Sequence, residues 1–216
     1  MRLWRMRNWA DMRRKASAYD DREPTVLVVG AAQAGLSIAA RLNQVGVDTL
    51  VVEKWPRIGD SWRKRYHSLA LHNSIHLNHL PYMEFPPTWP KYIPKDMLGN
   101  WFEFYADAME INCWTDTEFV GGAWDETAKQ WTARLRRSDG TERVVRPRHL
   151  VFANGVSSYP MIPDLPGLRT LRVRSFTRKV STAARRGMAR TRLFWAPAAA
   201  PTISRSICTA MASTRR

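Results

Sequence analysis

The spacing of apolar residues changes period several times along this chain, and each change marks an element. Val26–Val29 is an unbroken apolar, β-branched run, the pattern of a strand covered on both faces. Residues 36–45 then carry apolar side chains at helical spacing, and Gly46 ends them. Thr49–Val52 is a second strand of the first kind, closed by Glu53. Residues 94–110 place Leu98, Trp101, Phe102, Tyr105 and Met109 at helical spacing, which predicts an amphipathic helix with its aromatics in the core. Residues 118–145 alternate apolar and polar in the manner of antiparallel strands, with Gly121-Gly122 and Ser138-Asp139-Gly140 as the expected turns, the second a hairpin signal. Residues 148–152 end in the buried-strand run HLVF and enter Ala153-Asn154-Gly155, after which Pro160, Pro163 and Pro166 give an extended exit to Gly167. No internal repeat is visible.

The stretch 80–90, LPYMEFPPTWP, has a proline density that forbids regular helix or central strand. An ordered loop of this length is usually functional or rests on a ligand. The expected fold class is α/β, a Rossmann-like βαβ domain with a small antiparallel β insertion.

The junction between the first strand and the first helix carries the chemistry. Gly30-Ala-Ala-Gln-Ala-Gly35 stands where the dinucleotide fingerprint G-x-G-x-x-G belongs, between a buried strand and a helix. Gly30 permits the tight turn, and Gly35 permits close packing of helix on strand. Ala32 stands where the fingerprint has its middle glycine, which lets backbone approach a pyrophosphate. The helix N-terminus presents N–H groups and a positive dipole end to phosphate. Glu53 lies 23 residues after Gly30, where a carboxylate can accept from ribose hydroxyls.

Charge alters the picture only at the two ends. The net charge of +15 has the size of a nucleic-acid footprint. Residues 1–23 carry a net of +3 and residues 165–216, with twelve Lys/Arg and no acid, a net of +12, while 24–164 is neutral. The basic charge therefore lies outside the patterned body, and no specific nucleic-acid partner is expected. Trp4, Arg5, Trp9 and Met12 are compatible with an amphipathic helix or a basic membrane-surface helix. A frayed end, or the remnant of a longer upstream segment, is the preferred reading of 1–23. No run reaches the roughly 20 apolar residues of a membrane span, and no secretory signal is seen. Cys113 and Cys208 form no CxxC, which fits a cytoplasmic protein without a disulfide or metal framework. His72, His76 and His79 are spaced to share a helical face, but nearby Pro81 and the lack of a carboxylate favour a loop over a metal site.

Four segments between 26 and 168, taken in order, resemble the N-terminal half of flavin-containing monooxygenases of the bacterial, YUCCA-like type. They are residues 30–35 with Glu53; Gly59-Asp-Ser-Trp62-Arg63; residues 66–73 with the loop 80–94; and residues 151–166, VFANGVSSYPMIPDLP. The resemblance implies an incomplete two-dinucleotide-binding flavoprotein fold with FAD on the first βαβ unit. Gly30, Ala32, Gln33, Ala34 and Gly35 would cradle its pyrophosphate and Glu53, followed by Lys54, its adenosine ribose. Gly59 belongs to the second motif, and Trp62, Arg63 and His72 would lie along the flavin. Ala153, Asn154 and Gly155, with Asn154 replacing the usual Thr, would close over the cofactor. In the complete family NADPH reduces the flavin, which then uses O2 to oxygenate a small organic substrate. The cofactor carries that chemistry, so no catalytic side chain is assigned here.

The resemblance stops after 168, where the family has a second Gly-rich turn for NADPH. Residues 169–216 are instead basic and lack hydrophobic periodicity, a composition expected to be disordered. Residues 196–204, APAAAPTIS, arise when codons for Gly-Ala-Gly-Ser-Ser-Ala-His-Asp-Ile, which read as such a turn, are translated one base late. The expected organisation is a basic segment 1–23, an incomplete FAD-binding domain 24–168 and a frameshifted tail 169–216. Such a chain would lack the NADPH site and turnover. The alternatives are another FAD/NAD(P)-dependent oxidoreductase, such as a disulfide reductase, or a non-catalytic basic binding module using the tail. Substrate and oligomeric state are not legible.

Overall fold

The computed structural model describes residues 8–155 and two short strands further on, Arg174–Thr177 and Arg192–Trp195. The chain divides into two compact units, 1–63 with 70–156, and 64–69 with 157–216.

The first unit is built on four parallel strands. β1 (Val26–Val29), β2 (Thr49–Val52), β3 (Asn112–Trp114) and β7 (His149–Phe152) form one sheet in the order β3-β2-β1-β7. Val28 pairs with Val51 on one side and Val151 on the other. The helix α2 (Gln33–Gln44) links β1 to β2, and α4 (Lys95–Ala108) precedes β3. An antiparallel meander of β4 (Thr117–Asp125), β5 (Gln130–Arg137) and β6 (Glu142–Val145) separates β3 from β7.

Strand periodicity explains why both faces of the sheet are apolar. Val26, Val28 and Val51 point to one face, where they meet Leu36, Ala39 and Ala40 of α2 and Leu98, Phe102 and Ala106 of α4. Leu27, Leu50 and Val52 point to the other, where Ala133, Leu135 and Val145 of the meander cover them. Each such Val, Leu or Phe side chain, fully buried, contributes about 1.5–3 kcal/mol of transfer free energy, and each alanine less. The layers are therefore helices, parallel sheet and antiparallel sheet, with a core on each side of the middle layer.

Three expectations are corrected. Gly121-Gly122 makes no turn: it lies inside β4, where the register with β5 shifts between Phe119 and Gly121. The glycines accommodate a bulge, because a Cβ on Gly122 would meet the Phe119 ring and the Thr132 carbonyl at 3.3 Å. The turn itself falls at 126–129, where Asp125 Oδ1 accepts from the N–H groups of Thr127 and Ala128 and Lys129 takes a φ of 51°. Ser138-Asp139-Gly140 does turn the next hairpin, with Gly140 at φ 85° and Thr141 N–H donating to Asp139 Oδ1. The HLVF strand is not buried: β7 is an edge strand among the described residues, and Phe152 is 61% exposed.

The third correction concerns the basic start of the chain. It is not frayed from residue 9 on: α1 (Trp9–Ala18) is capped by the Asn8 side chain and docks beside β3. Arg13 donates to the Glu110 carbonyl and to Asn112 Oδ1, and Trp114 Nε1 donates to the Ser17 carbonyl. Tyr19 ends the helix at φ 55° and is 1% exposed. Its hydroxyl donates to Asp48 Oδ1 at 2.7 Å and accepts from Asn112 Nδ2 at 3.1 Å. Arg143 clamps the same turn by donating to the carbonyls of Ala18 and Tyr19. Asp48 lies 29 residues from Tyr19 and the other partners 93 to 125 residues away, so local composition could not reveal them.

The second unit is described only through β8 (Arg174–Thr177) and β9 (Arg192–Trp195), which pair in parallel. Both runs contain aromatic residues, which favour strand over coil. The remainder of the tail expected to be disordered, residues 196–204 included, lies outside the described residues. No helix among the described residues is long and apolar enough to cross a membrane.

Candidate functional site

The chain leaves β1 toward β2 and β3 on one side and returns as β7 on the other, so the order reverses beside β1. In open parallel sheets ligands bind outside the carboxyl ends of the strands at such a reversal. Gly30 follows β1 there, Glu53 follows β2, and Ala153 follows β7.

Sterics dictate the two glycines. Gly30 has a φ of +106°, and a Cβ there would lie 2.7 Å from the Ala153 carbonyl oxygen. On Gly35, which is helical, a Cβ would lie 1.8 Å from the Gly30 carbonyl oxygen. Two hydrogen bonds hold the crossing: Gly30 N–H donates to the Val52 carbonyl and Ala153 N–H to the Val29 carbonyl, both at 2.8 Å. The turn after β7 is thereby locked onto the turn after β1. Asn154 and Gly155, the latter at φ 75°, follow on the surface.

Ala32 is the N-cap of α2 at φ −102°, ψ −166°, an extended conformation open to any residue. A glycine is not required there by backbone conformation. As an alanine it offers no side-chain acceptor to the first turn of the helix, whose N–H groups include those of Gln33, Ala34 and Gly35. Gln33 also reaches sideways: its Nε2 donates to the Asn78 carbonyl at 3.4 Å. The buried Asn78 side chain accepts from Asn73 Nδ2 and donates to the Ser74 carbonyl. The loop 73–78 is thus fixed beside the start of α2. Asn73 and Asn78 were not among the residues singled out by sequence; the Asn content of that loop was the available signal.

Glu53 is 7% exposed and turned inward. Its Oε2 accepts from Ala31 N–H at 2.9 Å and its Oε1 from Trp55 N–H at 3.1 Å. Lys54, beside it, is exposed. Near Glu53, Cys113 is a free thiol that burial, with a smaller contribution from the Glu53 charge, pushes up.

Gly59, Trp62 and Arg63 form a separate group where α3 (Asp60–Arg63) crosses α4. Gly59 has a φ of +89°, and a Cβ on it would lie 2.2 Å from the Gly99 carbonyl oxygen. Arg63 donates to the Ile58 carbonyl, to Asp60 Oδ1, to Asn100 Oδ1 and to Glu103 Oε2. Arg57 pairs with the same Glu103, and these guanidiniums, Arg57 first, hold the Glu103 carboxyl below its ordinary range. The buried Lys95 donates to the Arg63 carbonyl and to Asp96. The Arg63 guanidinium is therefore committed to tying α3 to α4, while Trp62 packs half-buried against the helix-side core.

His72 is exposed, and so is His76, in a single 3-10 turn, Ile75–Leu77. His79 Nδ1 accepts from Phe85 N–H at 2.9 Å, pinning the proline-rich loop. That loop is packed: Phe85 and Trp89 stack with ring centroids 5.6 Å apart and both contact Trp101 of α4. Tyr105 also donates to the Pro81 carbonyl.

Comparison with known proteins agrees with this geometry. Residues 23–68 match the family model described as FAD binding domain. The chain is 35% identical over 147 residues to indole-3-pyruvate monooxygenase YUCCA1 of Oryza sativa subsp. japonica, covering 68% of this chain and 35% of that protein. The flavin-containing monooxygenase of Stenotrophomonas maltophilia superimposes with a TM-score of 0.61 at 18% identity, over 72% of this chain and 46% of that one. OTEMO in complex with FAD and NADP superimposes with a TM-score of 0.57 at 23% identity, over 73% of this chain and 31% of that one. At these identities the two structures show the fold alone. The chain spans about a third of the length of the curated relatives it matches. These similarities support kinship with the flavin monooxygenase family, whose N-terminal part the chain resembles.

Proposed function

We propose that this chain is the FAD-binding portion of a flavin-dependent monooxygenase. The observation that carries the reading is the meeting of residues 30–35, Glu53 and residues 153–155 at the carboxyl ends of β1, β2 and β7. A cradle whose glycines exclude even a methyl group, beside a helix start without a side-chain cap, fits a pyrophosphate. Gly30, Ala32, Gln33, Ala34 and Gly35 would hold the diphosphate, Glu53 and Lys54 the ribose side, and Ala153, Asn154 and Gly155 the opposite wall. Gly59, Trp62, Arg63 and His72 belong to the flavin side of the same proposal, with Arg63 acting through the α3–α4 crossing. When bound, FAD would supply hydride acceptance from NADPH and O2 chemistry toward a small organic substrate. The chain's own residues contribute binding, orientation and exclusion of water.

The domain proposal is a basic segment 1–23, an FAD-binding domain 24–168 and a frameshifted tail 169–216. It rests on the one-base decoding of residues 196–204 and on the absence of a second Gly-rich turn in these 216 residues. The nucleotide sequence beyond codon 168, read in three frames, tests it directly. A cytoplasmic location belongs to the same reading and is supported by the free thiol of Cys113.

Titration of the purified chain with FAD, followed by flavin fluorescence and visible absorption, tests the binding claim. Uptake of FAD is expected, with no consumption of NADPH under air. No uptake defeats the first claim; rapid flavin bleaching with NADPH consumption defeats the incompleteness claim.

A further inference from the structure

Glu53 meets the Gly-rich turn directly. Its Oε2 accepts from Ala31 N–H at 2.9 Å, and its Oε1 accepts from Trp55 N–H at 3.1 Å. The carboxylate thus bridges the turn after β1 and the turn after β2 directly. At 7% exposure the bridge is shielded, and a hydrogen bond to a buried charged acceptor is stronger than one between neutral groups. Ala31 itself is fully buried, so its amide has no route to solvent as an alternative partner. The turn therefore divides its donors. The Ala31 N–H is committed to Glu53, and the N–H groups at the start of α2 remain for an anion.

We propose that Glu53 is a positioning residue that sets the phosphate-binding turn before any cofactor arrives, in addition to any contact with ribose. Both partners of the carboxylate are N–H donors. Glu53→Gln, of the same shape, must present its NH2 to one of them and lose that bond. A turn held by Glu53 then loosens toward every phosphate ligand, with or without ribose hydroxyls. A Glu53 that only reads ribose affects only ligands that have the hydroxyls. The ligand arm of this inference rests on the dinucleotide-binding reading; the ligand-free arm does not.

The test compares wild type, Glu53→Gln and Glu53→Asp in two measurements. In the ligand-free protein, amide hydrogen exchange is read at Ala31. Slow exchange is expected in wild type despite its place in a turn, and faster exchange by about tenfold or more in both variants. By calorimetry, ADP and 2′,3′-dideoxy-ADP are bound in turn, and a loss of about tenfold is expected for both probes in Glu53→Gln. Fast exchange at Ala31 in wild type overturns the proposal, and so does dideoxy-ADP affinity unchanged by Glu53→Gln. If wild type binds neither probe, the dinucleotide reading fails while the exchange measurement still decides the role of Glu53.

Discussion

Gly35 and Gly30 touch backbone to backbone: a methyl group on the first would lie 1.8 Å from the carbonyl oxygen of the second. That contact sets how closely α2 approaches the end of β1, and hence where the helix start sits relative to the turn. Gly35→Ala cannot be absorbed by a side-chain rotation, because the obstacle is main chain. A cost of about 1–3 kcal/mol or more is expected, with α2 displaced and FAD uptake lost. Thermal unfolding together with flavin titration checks it; wild-type uptake by Gly35→Ala would show the contact to be dispensable.

The α3–α4 crossing makes a different prediction. Arg63 makes contacts to Ile58, Asp60, Asn100 and Glu103 that only a planar fork can make together. Arg63→Lys keeps the charge and loses most of these bonds. A loss of about 1–2 kcal/mol is expected, discounted because Glu103 is 35% exposed. The Glu103 carboxyl is held below its ordinary range by Arg57 and Arg63. Its contribution is present above the unfolded value near 4.5 and is lost as pH falls through the lower folded value. Arg63→Lys is therefore expected to lose stability mainly at neutral pH and to approach wild type in acid, as read by denaturant unfolding at several pH values.

Two buried phenols predict sensitivity to alkali. Burial, then the Asp48 hydrogen bond, pushes Tyr19 up, while burial pushes Tyr105 up to about 12. From pH 10, the ordinary value, the unfolded chain releases these protons while the folded one retains them. Stability is thus intact below about 10 and declines as pH rises toward the folded values. Tyr19→Phe and Tyr105→Phe should each flatten that decline. Tyr19→Phe should also cost about 1–2 kcal/mol at neutral pH by removing the hydroxyl that Asn112 and Asp48 share. An alkaline melting profile unchanged in both variants would remove the phenols from the account.

The parts of this fold legible in sequence are those set by local period. Val26–Val29, Thr49–Val52 and the helix Lys95–Ala108 follow from the spacing of their apolar residues. The Gly30, Gly35 and Glu53 cradle follows from motif in context, because each of these residues answers a nearby backbone demand. What was hidden depends on partners distant in sequence. Gly121-Gly122 looks like a turn until β5 is laid beside it, and the true turn lacks glycine because Asp125 caps it. Docking of α1 depends on Glu110, Asn112 and Arg143. The commitment of Arg63 to α4 depends on Asn100 and Glu103, which no motif includes.

Phe152 gives the last prediction. It occupies a strand of the central sheet, yet it is 61% exposed and meets the Phe119 ring edge-on, with ring centroids 5.5 Å apart. An exposed aromatic on a strand that is an edge among the described residues is a site for self-association. Removing a mostly exposed ring forfeits little core contact, so Phe152→Ser should cost less than about 1 kcal/mol. It should also lower the tendency of the chain to associate, seen as a shift toward monomer in light scattering at micromolar concentration. A large drop in melting temperature would mean instead that the ring is held in a contact that stabilises the fold. Unchanged association with unchanged stability would move the sticky surface elsewhere, with exposed Leu77 and Tyr82 the next positions to substitute.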